Sequence, residues 1–184
     1  MEENKKIIND AFKIITLDVP TIERIANDEN SLNNGFAILF IAGVLQSAYL
    51  IKYAGIFVCI ASLINYFLMF IFFIWGMDMI VKFYYKKSDF KRILRVTLYA
   101  NIINWIGFIN LIGNFTMISM TISMIGFSIV LVRLYEIIYS LKRKEAIWIL
   151  TLPTLVILVV VYLLVGNLAY KLYEHYTQMV NIEM

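Results

Sequence analysis

Two residue types that build disulfides and metal sites are almost absent from this sequence. It contains one cysteine, Cys59, and one histidine, His175. One cysteine excludes a disulfide within the chain and a cysteine cluster for zinc, and one histidine excludes a multi-histidine metal centre. Phosphate-binding and dinucleotide-binding fingerprints are missing as well. We therefore expect no cofactor and no enzymatic activity.

Charge is absent from the longest apolar run, which extends from residue 96 to residue 132 between Arg95 and Arg133. As one helix, these 37 residues would be roughly 55 Å long at about 1.5 Å per residue. A hydrocarbon core is only about 30 Å thick. The best breaker near the middle is Gly113-Asn114, a pair that tolerates a tight turn. The run therefore predicts a membrane-embedded helical hairpin with arms over 96–112 and 115–132.

What the sequence has in excess is apolar residues, at 61% of the chain, against roughly 45–50% in soluble domains. The apolar runs are continuous, which predicts an all-α, polytopic membrane protein. Five transmembrane helices are expected, at about 35–51, 54–81, 96–112, 115–132 and 146–169 within a 35–170 domain. Pro153 should kink the last helix. Residues 1–34 read as a cytoplasmic amphipathic segment that either packs on the bundle or lies on the headgroups, and 171–184 as an outer tail.

The distribution of basic residues predicts how the five spans are oriented in the membrane. With five spans, fourteen of the sixteen Lys and Arg residues fall on one face. The positive-inside rule then places the N-terminus in the cytoplasm and the C-terminus outside. The same bias supports a turn at Gly113, because without it the later basic loop would face outward. The composition also suggests the cell membrane of a microbe.

Ionisable residues beside apolar segments are the first candidates for function. Asp78 and Lys82 are four apart and can pair, and Arg133 and Glu136 are three apart on one helix. Arg95 can join Glu136 at the same membrane face. These five residues form a candidate cytoplasmic-face cluster. We interpret them first as interfacial ion pairs, because none lies at mid-membrane.

Polar residues inside the spans need partners, because the hydrocarbon core offers none. Ser62 and Asn65 share a face of the second span, and Asn101 and Asn104 share a face of the third. Thr116, Ser119, Ser123 and Gly126 begin a stripe of small residues down the fourth span. We expect these groups to face inward and to hold the helices together by hydrogen bonds and close packing. The alternative is that they line a hydrated path or a substrate site.

Several segments, in this order, resemble the Yip domain family, named for proteins that interact with Ypt/Rab GTPases. They are LDVPTIERI (17–25), FKRILRVTLY (90–99), VRLYE (132–136), LKRKEA (141–146) and the Leu-Pro at 152–153. The resemblance covers nearly the whole chain and implies five spans with the N-terminus inside. In eukaryotic members it implies Rab binding and vesicle traffic, but their Asp-Leu-Tyr-Gly-Pro signature is absent here. No functional residue is carried over from the family.

The expected function is therefore that of a non-enzymatic membrane scaffold or adaptor with a basic cytoplasmic face. Its partners would be the lipid bilayer and either a cytoplasmic protein or anionic lipid, with no nucleic acid. A small oligomeric channel or transporter is the alternative. An intramembrane enzyme that uses Asp78 or Glu136 is a third and weaker hypothesis. The sequence does not give the oligomeric state.

Overall fold

The computed structural model describes residues 2–113 and 115–155, and every regular element in these ranges is helical. The elements are α1 (Glu2–Ile15), α2 (Val19–Asn27), α3 (Ser31–Ser47), α4 (Leu50–Tyr85), α5 (Phe90–Ala100), a 3-10 segment (Asn101–Phe108), α6 (Ile109–Ile112) and α7 (Thr116–Tyr139). Residues 143–150 are also helical. The chain divides into two compact units, Met1–Leu150 and Thr151–Met184. Of the second unit, residues 151–155 are described; they are helical and contain Pro153.

Within residues 2–113 and 115–155, three helices are long and apolar enough to cross a membrane: Ser31–Lys52, Ala54–Tyr85 and Thr116–Tyr139. They coincide with the first, second and fourth spans that the sequence predicts. The all-helical class of the described residues is as predicted. The fifth predicted span extends beyond residue 155, so most of it lies outside the described residues. Pro153 itself lies within the described helical residues, and the kink expected there stays a prediction.

The third predicted span is divided among α5, the 3-10 segment and α6 instead of forming one α-helix. The change begins at Asn101. Its side-chain amide donates to the carbonyl of Thr97, at 3.0 Å, while its backbone N–H bonds to Leu98 and Tyr99. An asparagine side chain that takes the carbonyl four residues back competes with the helix's own backbone bond. The backbone then continues with the tighter 3-10 pattern.

The chain reverses after α6 without the backbone conformation that favours glycine. Gly113 has extended backbone angles, φ −164° and ψ 179°, which any residue adopts. A Cβ at this position would lie 2.7 Å from Cε2 of Phe115, so a larger residue here would require the exposed ring of Phe115 to shift. Asn114 lies outside the described residues. Helix α7 then packs against α5, the 3-10 segment and α6.

Helix α5 is the centre of the first unit. All residues from Ile93 to Ala100 are buried, and α5 contacts α1, α2, α3, α4 and α7. The apolar sides of the N-terminal helices are buried in the same core, including Ile14 on α1 and Ile22 and Ile25 on α2. In the structure, the helices within residues 1–34 pack on the bundle, which is the first of the two interpretations given above.

Helix α2 begins at a specific cap. The backbone N–H of Thr21 donates to the Asp18 carboxylate at 3.2 Å, and Pro20 occupies the first turn, where its missing N–H has no helical partner. The hydrogen bonds from Thr21 hold the pKa of Asp18 below its usual range. This cap fixes the direction in which α2 meets α5.

Candidate functional site

Asp78, near the end of α4, is buried and fully engaged by hydrogen bonds. Its side chain is 3% exposed. The carboxylate accepts from the Ser88 hydroxyl at 2.8 Å, from the backbone N–H of Asp89 at 3.3 Å and from the Tyr139 hydroxyl. These partners lie in the α4–α5 loop and at the last residue of α7. Asp78 therefore ties three parts of the bundle together at one end.

This arrangement replaces the predicted pairing of Asp78 with Lys82. Lys82 is exposed and forms no ion pair within the described ranges. Although the two residues are one helical turn apart, the donors that satisfy Asp78 lie on the interior side of α4. The carboxylate points to them, and the lysine side chain is left outside.

Glu136 on α7 lies between two arginines. It forms the expected ion pair with Arg133, and Nε of Arg143 lies 3.2 Å from its Oε1. The Glu136 side chain is only 9% exposed. A carboxylate with this little contact with water needs such partners, because isolation would leave its charge poorly solvated.

Arg95 does not join Glu136, contrary to the expected cluster. Its Nη1 donates to the carbonyl of Ala26 at 2.8 Å, and its Nη2 lies 4.0 Å from Glu29. Ala26 is in the last turn of α2, where carbonyls lack a partner within the helix and the helix dipole is negative. The guanidinium therefore fastens α2 to the start of α5.

Arginines and lysines thus have different roles in this bundle. Every arginine of the chain forms an ion pair with a carboxylate: Arg24, Arg92, Arg95, Arg133 and Arg143. Six lysines near the Asp78 end are exposed and form no ion pair with described residues: Lys82, Lys86, Lys87, Lys91, Lys142 and Lys144. We call these six residues the lysine face. Lys87 links the α4–α5 loop to the end of α7, because the Lys87 ammonium donates to the carbonyl of Tyr139 at 2.7 Å.

A second polar group lies within the apolar part of the bundle, around the 3-10 segment. The Tyr66 hydroxyl donates to Oδ1 of Asn101 at 3.0 Å. Nδ2 of Asn104 donates to the Tyr66 hydroxyl and to Oδ1 of Asn101, both at 2.9 Å. Gln46 of α3 bonds to the backbone carbonyl of Asn104 at 3.0 Å. This asparagine network links α3, α4 and the 3-10 segment.

Two further polar contacts join neighbouring helices. The Ser119 hydroxyl donates to Oδ1 of Asn110 at 3.0 Å, which ties α7 to α6. Ser47 of α3 and Ser62 of α4 are 3.3 Å apart. Ser123 is buried on the same side of α7 as Ser119, and no described group bonds its hydroxyl.

Asn65 does not face inward as predicted; it is exposed. Ser62 and Asn65 differ by about 60° around the helix at 3.6 residues per turn. The packed side of α4 is centred beyond Ser62 in the opposite direction, among Tyr66, Phe70 and Ile74. A shared face at the sequence level therefore does not mean a shared environment here.

Four of the residues that complete these contacts were not among the candidates named from the sequence: Gln46, Tyr66, Asn110 and Tyr139. A signal existed for the first three, because each is a polar group inside an apolar run and needs a partner there. Tyr139 carried no such signal, since a tyrosine near a helix end is equally typical of the membrane interface.

The described residues contain no group of three or more His, Cys, Asp and Glu side chains that could hold a metal ion. The two strongly engaged carboxylates, Asp78 and Glu136, belong to separate clusters, each occupied by its own donors. The arrangement is that of contacts that hold helices together.

Comparison of the chain with protein-family models, curated protein sequences and solved structures finds no match. The resemblance to the Yip domain family therefore stays a prediction, carried by the sequence segments alone.

Proposed function

We propose that this chain is a non-enzymatic membrane scaffold or adaptor of the Yip type that presents the lysine face to cytoplasmic partners. The observation that supports the proposal is that the arginines and the lysines make different contacts. The arginines form ion pairs with carboxylates of the same chain. The six lysines of the lysine face are exposed and have no carboxylate partner among the described residues. Such charges are available to an acidic protein segment or to anionic lipid headgroups.

The proposal includes the five-span plan with the N-terminus in the cytoplasm. Three spans have the length and apolarity required. The broken third segment supports a fourth crossing, because α7 reverses direction after it and both connections at the Asp78 end are basic. A fifth crossing after residue 145 would bring the C-terminus to the outer side.

A matched pair of triple variants tests the lysine face. Replacing Lys86, Lys142 and Lys144 by glutamine should weaken binding to an anionic vesicle or an acidic partner by about fivefold per lysine. Replacing Lys5, Lys6 and Lys13 of α1 removes the same charge elsewhere and serves as the control. Binding is measured with the purified protein in zwitterionic nanodiscs, against anionic vesicles and cytosolic extract, at two salt concentrations.

Equal binding by both triple variants would contradict the proposal. So would a purified protein that retains no partner and no anionic lipid but moves a solute across proteoliposomes.

A small oligomeric channel or transporter is the second candidate, favoured by two buried polar atoms on facing helices. Nδ2 of Asn110 and the hydroxyl of Ser123 have no hydrogen-bond partner among the described residues, and water in a path between α6 and α7 would supply one. Alanine at Asn101 and Asn104 discriminates between the functions. Loss of flux in a folded protein supports transport, whereas loss of folding alone supports the packing role.

A further inference from the structure

Helix α4 carries a regular stripe on the side that faces away from the bundle. Its members are separated by alternating steps of three and four residues, and all are exposed: Val58, Ala61, Asn65, Leu68, Phe72, Trp75 and Met79. We call this set the α4 stripe. Steps of three and four give an average period of 3.5 residues, which is the spacing of the seam in a left-handed helix pair. The stripe therefore has a spacing along which a second helix could pack.

Asn65 is the one polar member of the α4 stripe. It lies ten residues after the break in α4 at Gly55, where φ is +83°, or about 15 Å along the helix. That distance places it near the middle of a hydrocarbon core about 30 Å thick. Within the described part of the chain, no group hydrogen-bonds its side chain. An amide left in hydrocarbon without a partner is costly, so its position calls for one.

The contrast with α7 supports this reading. Thr121 is a polar residue on the exposed side of α7, but its hydroxyl donates to the carbonyl of Met117 in the same helix, at 2.8 Å. A threonine can satisfy itself in this way and needs no neighbour. Asn65 does not do so.

Membrane insertion decides what the partner can be. Copies of one chain enter the bilayer in the same orientation, so a two-fold axis that relates two copies lies along the membrane normal. Each residue of the α4 stripe then meets its own copy at the same depth. An amide has both donors and an acceptor, so two Asn65 side chains satisfy one another across such an axis.

We propose that the α4 stripe is the interface of a homodimer, with Asn65 of one copy hydrogen-bonded to Asn65 of the other at mid-membrane. A single asparagine in an otherwise apolar seam also fixes the register of the two helices. The dimer would present two lysine faces on the same side of the membrane.

Cysteine cross-linking tests the geometry. Replacing Cys59 by serine removes the only cysteine in the sequence. In that background, Ala61→Cys places a thiol on the stripe, and Ile60→Cys places one at nearly the same depth but about 100° around the helix. Both positions are exposed. In bilayers of native lipid, A61C should form a disulfide-linked dimer and I60C should not.

A second measurement tests the amide. Asn65→Leu should lower the association constant, measured by energy transfer on dilution into detergent or lipid, by about three- to thirty-fold. Asn65→Gln keeps an amide and should retain most of the association. Because the side chain is exposed, both variants should melt as monomers at the wild-type temperature.

Three outcomes would overturn the proposal. One is equal cross-linking of A61C and I60C, and another is unchanged association in N65L. The third is a protein that is monomeric in bilayers and in which A61C is protected from thiol reagents. That last result would show that another segment of the same chain covers the stripe.

Discussion

Asp78 illustrates how single side chains hold the bundle, because its carboxylate receives donors from the α4–α5 loop and from α7 at once. Hydrogen bonds to a charged and buried acceptor are stronger than average, since the acceptor has lost its water. Removing one donor therefore leaves a charge that is less well solvated in the folded protein.

We expect Tyr139→Phe to lower the free energy of unfolding by about 1.5–3 kcal/mol, because it deletes the hydroxyl that bonds to Asp78. The measurement is unfolding by SDS titration of the protein in mixed micelles. Tyr84→Phe is the matched control, since Tyr84 is exposed, and it should change the same quantity by less than about 0.5 kcal/mol. A small effect at Tyr139 would mean that Asp78 is satisfied without it.

At this scale the sequence named Asp78, Arg133 and Glu136 as candidates and predicted only some of the contacts that they make. The pair on α7 could be predicted because both residues lie on the same helix, three positions apart. The partners of Asp78 and Arg95 could not, because Tyr139 and Ala26 are far away in sequence and only packing brings them near.

Close approach between helices is set by small residues at the element scale. Gly35 of α3 faces α5 so closely that a Cβ at this position would lie 2.7 Å from Cβ of Leu98. A Cβ is fixed to the backbone and cannot swing aside, so the two helices would have to separate. Gly76 of α4 is the opposite case, because nothing lies within 4 Å of a Cβ built there.

These two glycines give a matched prediction. Gly35→Ala should destabilise the protein by about 1–3 kcal/mol through overpacking. Gly76→Ala should be neutral or stabilising by up to about 1 kcal/mol, because alanine loses less backbone entropy in a helix. Both are read from SDS titration or thermal unfolding. Similar losses in the two variants would show that α3 and α5 do not approach as described.

The elements were predictable where a long apolar run was bounded by charge, as for α3, α4 and α7. The 3-10 segment was not, because its cause is the side chain of Asn101 bonding to Thr97. Both arrangements of these residues are compatible with the same apolar pattern, and periodicity alone does not separate them.

For the whole molecule, the length and lack of charge of residues 96–132 predict that this run lies at the centre of the bundle. In the structure the centre of the first unit is α5, whose buried stretch Ile93–Ala100 includes only the first residues of that run. The orientation in the membrane rests on the distribution of Lys and Arg. It stays a prediction, as does the fifth span.

Reporter fusions test this plan directly. Fusions after Gly113 and at the C-terminus should report the outer side, and fusions at the N-terminus and after Lys142 should report the cytoplasm. The physical reason is the cost of moving the fourteen basic residues of one face across the membrane. A cytoplasmic signal at Gly113 or at the C-terminus would refute the five-span plan.

The 3-10 segment also has a consequence for hydrophobic matching. Residues 96–112 would reach only about 26 Å as a regular α-helix at about 1.5 Å per residue. The eight residues of the 3-10 segment rise by about 2.0 Å each, which lengthens the same stretch to about 30 Å. That equals the thickness of a typical hydrocarbon core. Under the proposed five-span plan, this tighter coil would give a segment that is too short for the bilayer the missing length without an added residue.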